Sequence, residues 1–380
     1  MLDNGGRPLS LIGLAAGAML AAVLCCVGAG AWAQTGLGGL DCSTHPSAAM
    51  IAGTARSLSG FDAEANGGQS LQGGTYTPPV PGSPITGTAL TKLTAALTLT
   101  KQPFLDRLCL DLTHFFVDGG ADKPYAFWES DSQKAAAGHD KAWVFIGLPQ
   151  WALLANQPTY SGLETAISNA LVNNGVISPT PPYVTKVTGT PNDQNTALLA
   201  IIAHEEGHIF AHDFLMPDDN TKTKMCKDSQ PFLSTTWASY GPLPQFHIYN
   251  TPVLAVHSQH DPFPRNIARD AIANTATAND TYDSLFRNHN FVSLFAALGP
   301  DEDIAETFKY YTLLNESNTP LTSLTIAYPQ PPSHSRHRQF RAKDSTPSSR
   351  DIFRDVLTNA QAIGVKRKLD CIDLNFAVQP

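Results

Sequence analysis

Thr196–Phe214 reads TALLAIIAHEEGHIFAHDF, and the reading of this stretch decides the fold. Leu198, Leu199, Ile201, Ile202, Ile209 and Phe210 make it apolar nearly all round a helical wheel, which predicts a helix buried inside a domain. Asn192 or Asp193 supplies an N-cap, and Pro191 keeps the residue before it extended. In the middle of this apolar helix stand His204, Glu205, Glu206 and His208. Buried charge without a partner is costly, and a divalent cation is the usual partner for this combination. Gly207 costs about 1 kcal/mol relative to Ala in a helix, so its presence predicts close approach by another segment or by a metal site.

His204-Glu205-Glu206-Gly207-His208 has the form HExxH. Side chains four apart share one helix face, so His204 and His208 can aim two imidazoles at one ion. Glu205, beside the first of them, is placed as the general base of a zinc-dependent hydrolase. His212 continues the four-residue spacing. Three ligands at i, i+4 and i+8 span about 12 Å of helical rise, too far for one zinc with bonds of about 2.0–2.1 Å. Nor does His212 stand where the longer motif HExxHxxGxxH has its third histidine. It is expected beside the ligands, or as a satisfied interior histidine.

The third ligand must come from elsewhere. Asp301–Phe308 reads DEDIAETF, with Glu302 and Glu306 four apart and Ile304, Ala305 and Phe308 on an apolar face. This predicts a second helix that delivers a carboxylate to the first, and spacing alone does not rank Glu302 over Glu306. With these two motifs the chain resembles the zincin metallopeptidases of the gluzincin type, many of which pair HExGH with a later E-D-x-A-E-x-F helix. The resemblance covers residues 196–314. It implies an α+β zincin-like domain with a buried HExxH helix, a small sheet and a second ligand-bearing helix. It implies zinc held by His204, His208 and Glu302, with Glu306 supporting a ligand histidine and a peptide or protein as substrate. Phe291–Ala296 (FVSLFA) fits the family's lead-in, but Phe295 stands where the family often has Tyr. If that Tyr donates to the developing oxyanion, Tyr310, Tyr311, Tyr282 or His289 must substitute. Otherwise the chain is a non-catalytic exported protein that keeps the scaffold. The family also places an edge strand above the zinc helix, where extended substrate pairs with it. Trp143–Leu148 reads either as that strand or as an ordinary core strand.

Working outward, Leu9–Ala33 is apolar and ends Ala31-Trp32-Ala33, so residues 1–33 read as a secretory signal peptide, with an uncleaved anchor as the alternative. Beyond it the sequence holds no second apolar run of transmembrane length. Cys42, Cys109, Cys226 and Cys371 remain, an even number that predicts two disulfides with three possible pairings. No two of them form a CxxC pair, which argues against a cysteine zinc site. The net charge of −8 gives no support to nucleic-acid binding.

Residues 34–100 read as a loop-rich N-terminal segment, with a short helix near Ala48–Leu58 and another over Leu90–Leu99. Residues 101–328 form the zincin-like domain. Within it Leu105–Val117 has strand character and Gly162–Asn174 reads as a helix. Residues 329–350 are polar and rich in Pro and Ser, a flexible linker. Residues 351–380 return to helical periodicity over Asp351–Arg367 and dock on the main domain, with Cys371 fastened just after. His257, His260 and Asp261 form a second polar cluster, but Pro262 and Pro264 place it on a loop.

Overall fold

The computed structural model describes residues 36–58, 79–118, 126–130, 144–173, 186–211, 226, 228, 230, 232–239, 248–249, 286, 290–327 and 349–376. Residues 1–33, residues 329–348, His212, Tyr282, His289 and the His257–Asp261 cluster therefore lie outside the described residues.

The architecture is mixed, with helices packed around small sheets. In chain order the described elements begin with α1 (Ala48–Gly53), β1 (Arg56–Leu58), α2 (Gly87–Thr98), α3 (Gln102–Asp111) and β2 (His114–Asp118). Next come β3 (Phe127–Ser130), β4 (Val144–Pro149), α4 (Tyr160–Asn173), β5 (Lys186–Thr190) and α5 (Gln194–Phe210). The last are β6 (Trp237–Ser239), β7 (Ile248–Tyr249), α6 (Pro300–Tyr311), β8 (Ser323–Ala327), β9 (Ser349–Asp351) and α7 (Ile363–Phe376). One sheet has the order β1-β2-β4-β3, parallel except for β3, which runs antiparallel to β4. A second, antiparallel sheet has the order β5-β8-β9, and β6 pairs with β7. Among the described residues no helix is long and apolar enough to cross a membrane.

Both helices that carry the motifs start where local chemistry places a start. Asp193 caps α5, its carboxylate accepting from the Thr196 backbone N–H at 2.9 Å. Pro300 opens α6, and Asp301, Glu302 and Asp303 crowd its first turn, where the helix dipole favours negative charge. The helix α5 is buried nearly all round, as its apolar wheel requires. The hydrophobic core runs as one cluster from Leu37 through Leu97, Ile146, Leu199 and Ile304 to Phe376. The described part of residues 34–100 thus shares its core with the rest.

Two expectations are corrected, and one left open is decided. Leu105–Val117 is not one strand, because Gln102–Asp111 is helix and only His114–Asp118 pairs in the sheet. Leu105, Leu108, Cys109 and Leu112 are all buried and recur at helical spacing, which outweighs their strand propensity. Asp351–Arg367 is not one helix. A strand at Ser349–Asp351 and a π-helical turn over Phe353–Leu357 precede α7, which begins only at Ile363. Of the two readings of Trp143–Leu148, its described part, Val144–Leu148, is a core strand and not an edge, since β4 is buried along its whole length and lies between β2 and β3, while Trp143 lies outside the described residues. The strand at that edge is β3.

Two disulfides resolve the pairing. Cys42 bonds Cys109, and Cys226 bonds Cys371, with Cα–Cα separations of 5.7 and 4.8 Å. The first ties the N-terminal segment to α3. The second ties the chain that follows α5 to α7.

Candidate metal centre

The contact between α5 and α6 builds the site. At Gly207 the two helices approach so closely that an added Cβ would lie 2.7 Å from Ala305 Cα and 2.8 Å from its carbonyl oxygen. Such distances exclude any side chain without a shift of the backbone. The glycine therefore sets the spacing between the helix of His204 and His208 and the helix of Glu302 and Glu306.

Across this contact three ligand-type atoms converge. His204 Nε2 and His208 Nε2 lie 3.2 Å apart. Glu302 Oε2 lies 3.4 Å from the first and 3.6 Å from the second. Tetrahedral zinc with bonds of about 2.0–2.1 Å places its ligand atoms about 3.3–3.4 Å apart, so the triangle has the right size for such an ion. Glu302 Oε2 is buried and accepts no hydrogen bond from the protein. An orphaned carboxylate oxygen facing two imidazole nitrogens fits a cation. Among the described residues His204, His208 and Glu302 form a group able to hold a metal ion. Of the two carboxylates that spacing alone left unranked, Glu302 is the one in this group.

The outer nitrogens of both rings are held. Glu306 Oε1 lies 2.8 Å from His204 Nδ1, and Asp301 Oδ2 lies 3.0 Å from His208 Nδ1. Each imidazole thus turns Nδ1 to a carboxylate and Nε2 to its neighbour, the arrangement that fixes ring orientation in metal sites. Asp301 was not foreseen. It stands next to Glu302 in the DED run, half-exposed, where a first-turn acid reads as an ordinary cap of the helix dipole. Glu306 thus lies against His204, one of the two motif histidines.

These carboxylates change how the rings hold protons. Burial pulls His204 down, but the carboxylates of Glu302 and Glu306 beside the ring push it up to about 10. Burial likewise opposes His208, and Asp301 and Glu302 push it up to about 9. Two N–H groups cannot point at each other across the 3.2 Å between the Nε2 atoms, so at neutral pH the pair carries one extra proton between them. A cation competes for that place. Glu205 is buried beside His204, and burial raises its carboxyl while the two histidines pull it back.

Phe295 stacks on His204 with ring centroids 5.2 Å apart. It packs where a hydroxyl was expected and offers no donor. Tyr310 and Tyr311 do not replace it. The Tyr310 hydroxyl lies 3.4 Å from Glu164, and the Tyr311 hydroxyl donates to Asp373 at 2.6 Å.

Behind Glu306 the polar contacts continue into the core. Lys309, itself buried, donates to Glu306 and to Glu164 of α4 at 2.8 and 3.0 Å. Ser293 donates to Glu306 Oε2 at 2.5 Å. The Lys309 charge and the His204 hydrogen bond overcome burial and hold Glu306 ionised, down to about 2. No family model matches the chain, and no curated protein or solved structure matches it either.

Proposed function

We propose that this chain is an exported zinc metallopeptidase with a zincin-like domain. The observation that carries the proposal is the triangle of His204 Nε2, His208 Nε2 and Glu302 Oε2, sized for a tetrahedral ion. Two histidine nitrogens and one carboxylate oxygen are a donor set that suits zinc. Bound there, zinc would supply Lewis acidity toward a peptide carbonyl and toward water. Glu306 and Asp301 hold the imidazoles by Nδ1 and keep both Nε2 atoms aimed inward. Glu205 takes the proton of the attacking water and passes it to the leaving amine. Two disulfides support an oxidising compartment outside the cytosol.

The test is zinc content of the purified mature protein after dialysis, followed by hydrolysis of an unstructured protein such as casein. The expectation is one zinc per chain, turnover that a chelator abolishes, and a Glu205→Gln variant that keeps zinc but loses turnover. Zinc well below one per chain after zinc is added would sink the metal reading. Full activity of Glu205→Gln would remove that residue from the mechanism. A second reading, a non-catalytic protein that retains the metal scaffold, is favoured by Phe295 on His204 and by the engagement of Tyr310 and Tyr311 elsewhere. Zinc binding without any turnover would select it.

A further inference from the structure

Ser293 stands on neither motif helix and offers no metal ligand, yet its buried hydroxyl joins the two contacts that hold the His204 ring. As a donor it reaches Glu306 Oε2 at 2.5 Å, and Glu306 turns its other oxygen, Oε1, to His204 Nδ1 at 2.8 Å. As an acceptor it takes the Ala296 backbone N–H at 3.1 Å. That second bond fastens the start of a 3-10 turn over Phe295–Leu298. Phe295 opens this turn and stacks on His204, with ring centroids 5.2 Å apart and the two planes 26° from parallel. One hydroxyl, donating once and accepting once, thus fastens an edge contact and a face contact of the same imidazole.

We infer that Ser293 is a positioning residue for the metal site, one that fixes the aim of His204 Nε2 from two sides. The inference rests on the metal reading proposed above. The second side-chain torsion of a histidine is broad, so helix α5 by itself does not fix where Nε2 points. A carboxylate at Nδ1 limits rotation of the ring in its plane, and a ring stacked on its face limits tilting out of that plane. Removing the hydroxyl takes one donor from Glu306 and leaves the N–H of buried Ala296 without its acceptor. Glu306 is then free to swing toward Lys309, which also donates to it at 2.8 Å, and the turn that carries Phe295 loosens.

The experiment is zinc affinity of the mature chain by competition with a chromophoric chelator, with the visible spectrum of the cobalt-loaded protein as a second readout. Wild type, Ser293→Ala, Ser293→Thr, Phe295→Leu and the Ser293→Ala/Phe295→Leu double variant are compared, with folding checked by circular dichroism. Ser293→Ala is expected to bind zinc about 10–100-fold more weakly, the usual effect of losing support behind a ligand, and to shift the cobalt bands. Ser293→Thr keeps the hydroxyl and should stay close to wild type in both readouts. Phe295→Leu is expected to weaken binding about twofold to tenfold, the worth of one ring contact. Because Ser293 already governs Phe295, the double variant should bind more tightly than the product of the two single losses. A purely structural Ser293 predicts a less stable Ser293→Ala whose zinc affinity stays within about twofold of wild type and whose cobalt spectrum is unchanged, and that result overturns the inference. A folded Ser293→Thr as weak as Ser293→Ala overturns it too, as does a double variant whose losses simply multiply. If Ser293→Ala does not fold, Phe295→Leu decides, and unchanged zinc affinity and cobalt spectrum there overturn it. Failure of wild type to bind zinc removes the metal reading and this inference with it, whereas zinc binding by wild type with an unaffected Ser293→Ala removes only the role of Ser293.

Discussion

Glu302 and Asp303 are neighbours in the first turn of α6, and they face opposite environments. Asp303 is fully buried with both oxygens engaged: Lys368 of α7 donates to them at 2.8 and 2.7 Å, and the Trp237 indole donates at 3.1 Å. Lys368 also donates to the Asn290 carbonyl at 2.9 Å. Burial raises Asp303 and lowers Lys368, and their mutual attraction opposes both shifts. Glu302, one residue earlier, keeps a buried oxygen that accepts no hydrogen bond and faces two imidazoles. The difference teaches how to tell structural charge from functional charge. A buried ion pair with every hydrogen bond made holds helices together, whereas a buried carboxylate oxygen without a donor, set among imidazole nitrogens, forms a group able to hold a cation.

The largest expected effect breaks the satisfied side. Lys368→Met leaves Asp303 buried and uncompensated and should cost about 3–5 kcal/mol in unfolding by denaturant. A cost below about 1 kcal/mol would mean that the pair does not clamp α7 to α6. On the other side Glu302→Ala should reverse the pattern. Zinc affinity is expected to fall more than about 100-fold, while stability of the metal-free protein moves by less than about 1 kcal/mol. Unchanged zinc affinity would shift the third ligand away from Glu302.

Gly207→Ala tests the contact on which both sides depend. Helix propensity alone favours Ala by about 1 kcal/mol. The overlap with the Ala305 backbone opposes it, and overpacking of this kind costs about 1–3 kcal/mol. Net destabilisation is expected, with weaker zinc binding because α6 must shift. A variant more stable than wild type with the same zinc affinity would show that the close approach is not required.

The most gradual effect is in pH. His204 and His208 are pushed up to about 10 and about 9 from an ordinary 6.5. Such a raised pair stabilises the metal-free fold below about pH 6.5, and that contribution is lost as pH rises through 9 to 10. Metal binding runs the other way, because the ion displaces the shared proton. Zinc affinity should rise about tenfold per pH unit between about 6.5 and 9, with about one proton released per ion. Calorimetry in buffers of different ionisation enthalpy measures that release, and none at neutral pH would contradict the shared proton.

Much of the site was legible because its signals are local. The four-residue spacings of His204 with His208 and of Glu302 with Glu306, the cap at Asp193, and the small residue at Gly207 are all properties of one helix at a time. The buried character of α5 followed from its apolar wheel in the same way. Other features needed the third dimension. Asp301 looks like any first-turn acid until His208 is seen 3.0 Å away. Lys309 and Glu164 stand 145 residues apart and become partners only when folding brings their side chains within reach. Disulfide pairing is set by which α-carbons approach, and spacing in sequence leaves all three pairings open. The sequence by itself determined which helices could offer metal ligands, because periodicity is a property of the backbone. Only the tertiary structure decided which carboxylate joins the two histidines and which is locked into the core, because that depends on the donors that packing brings to each.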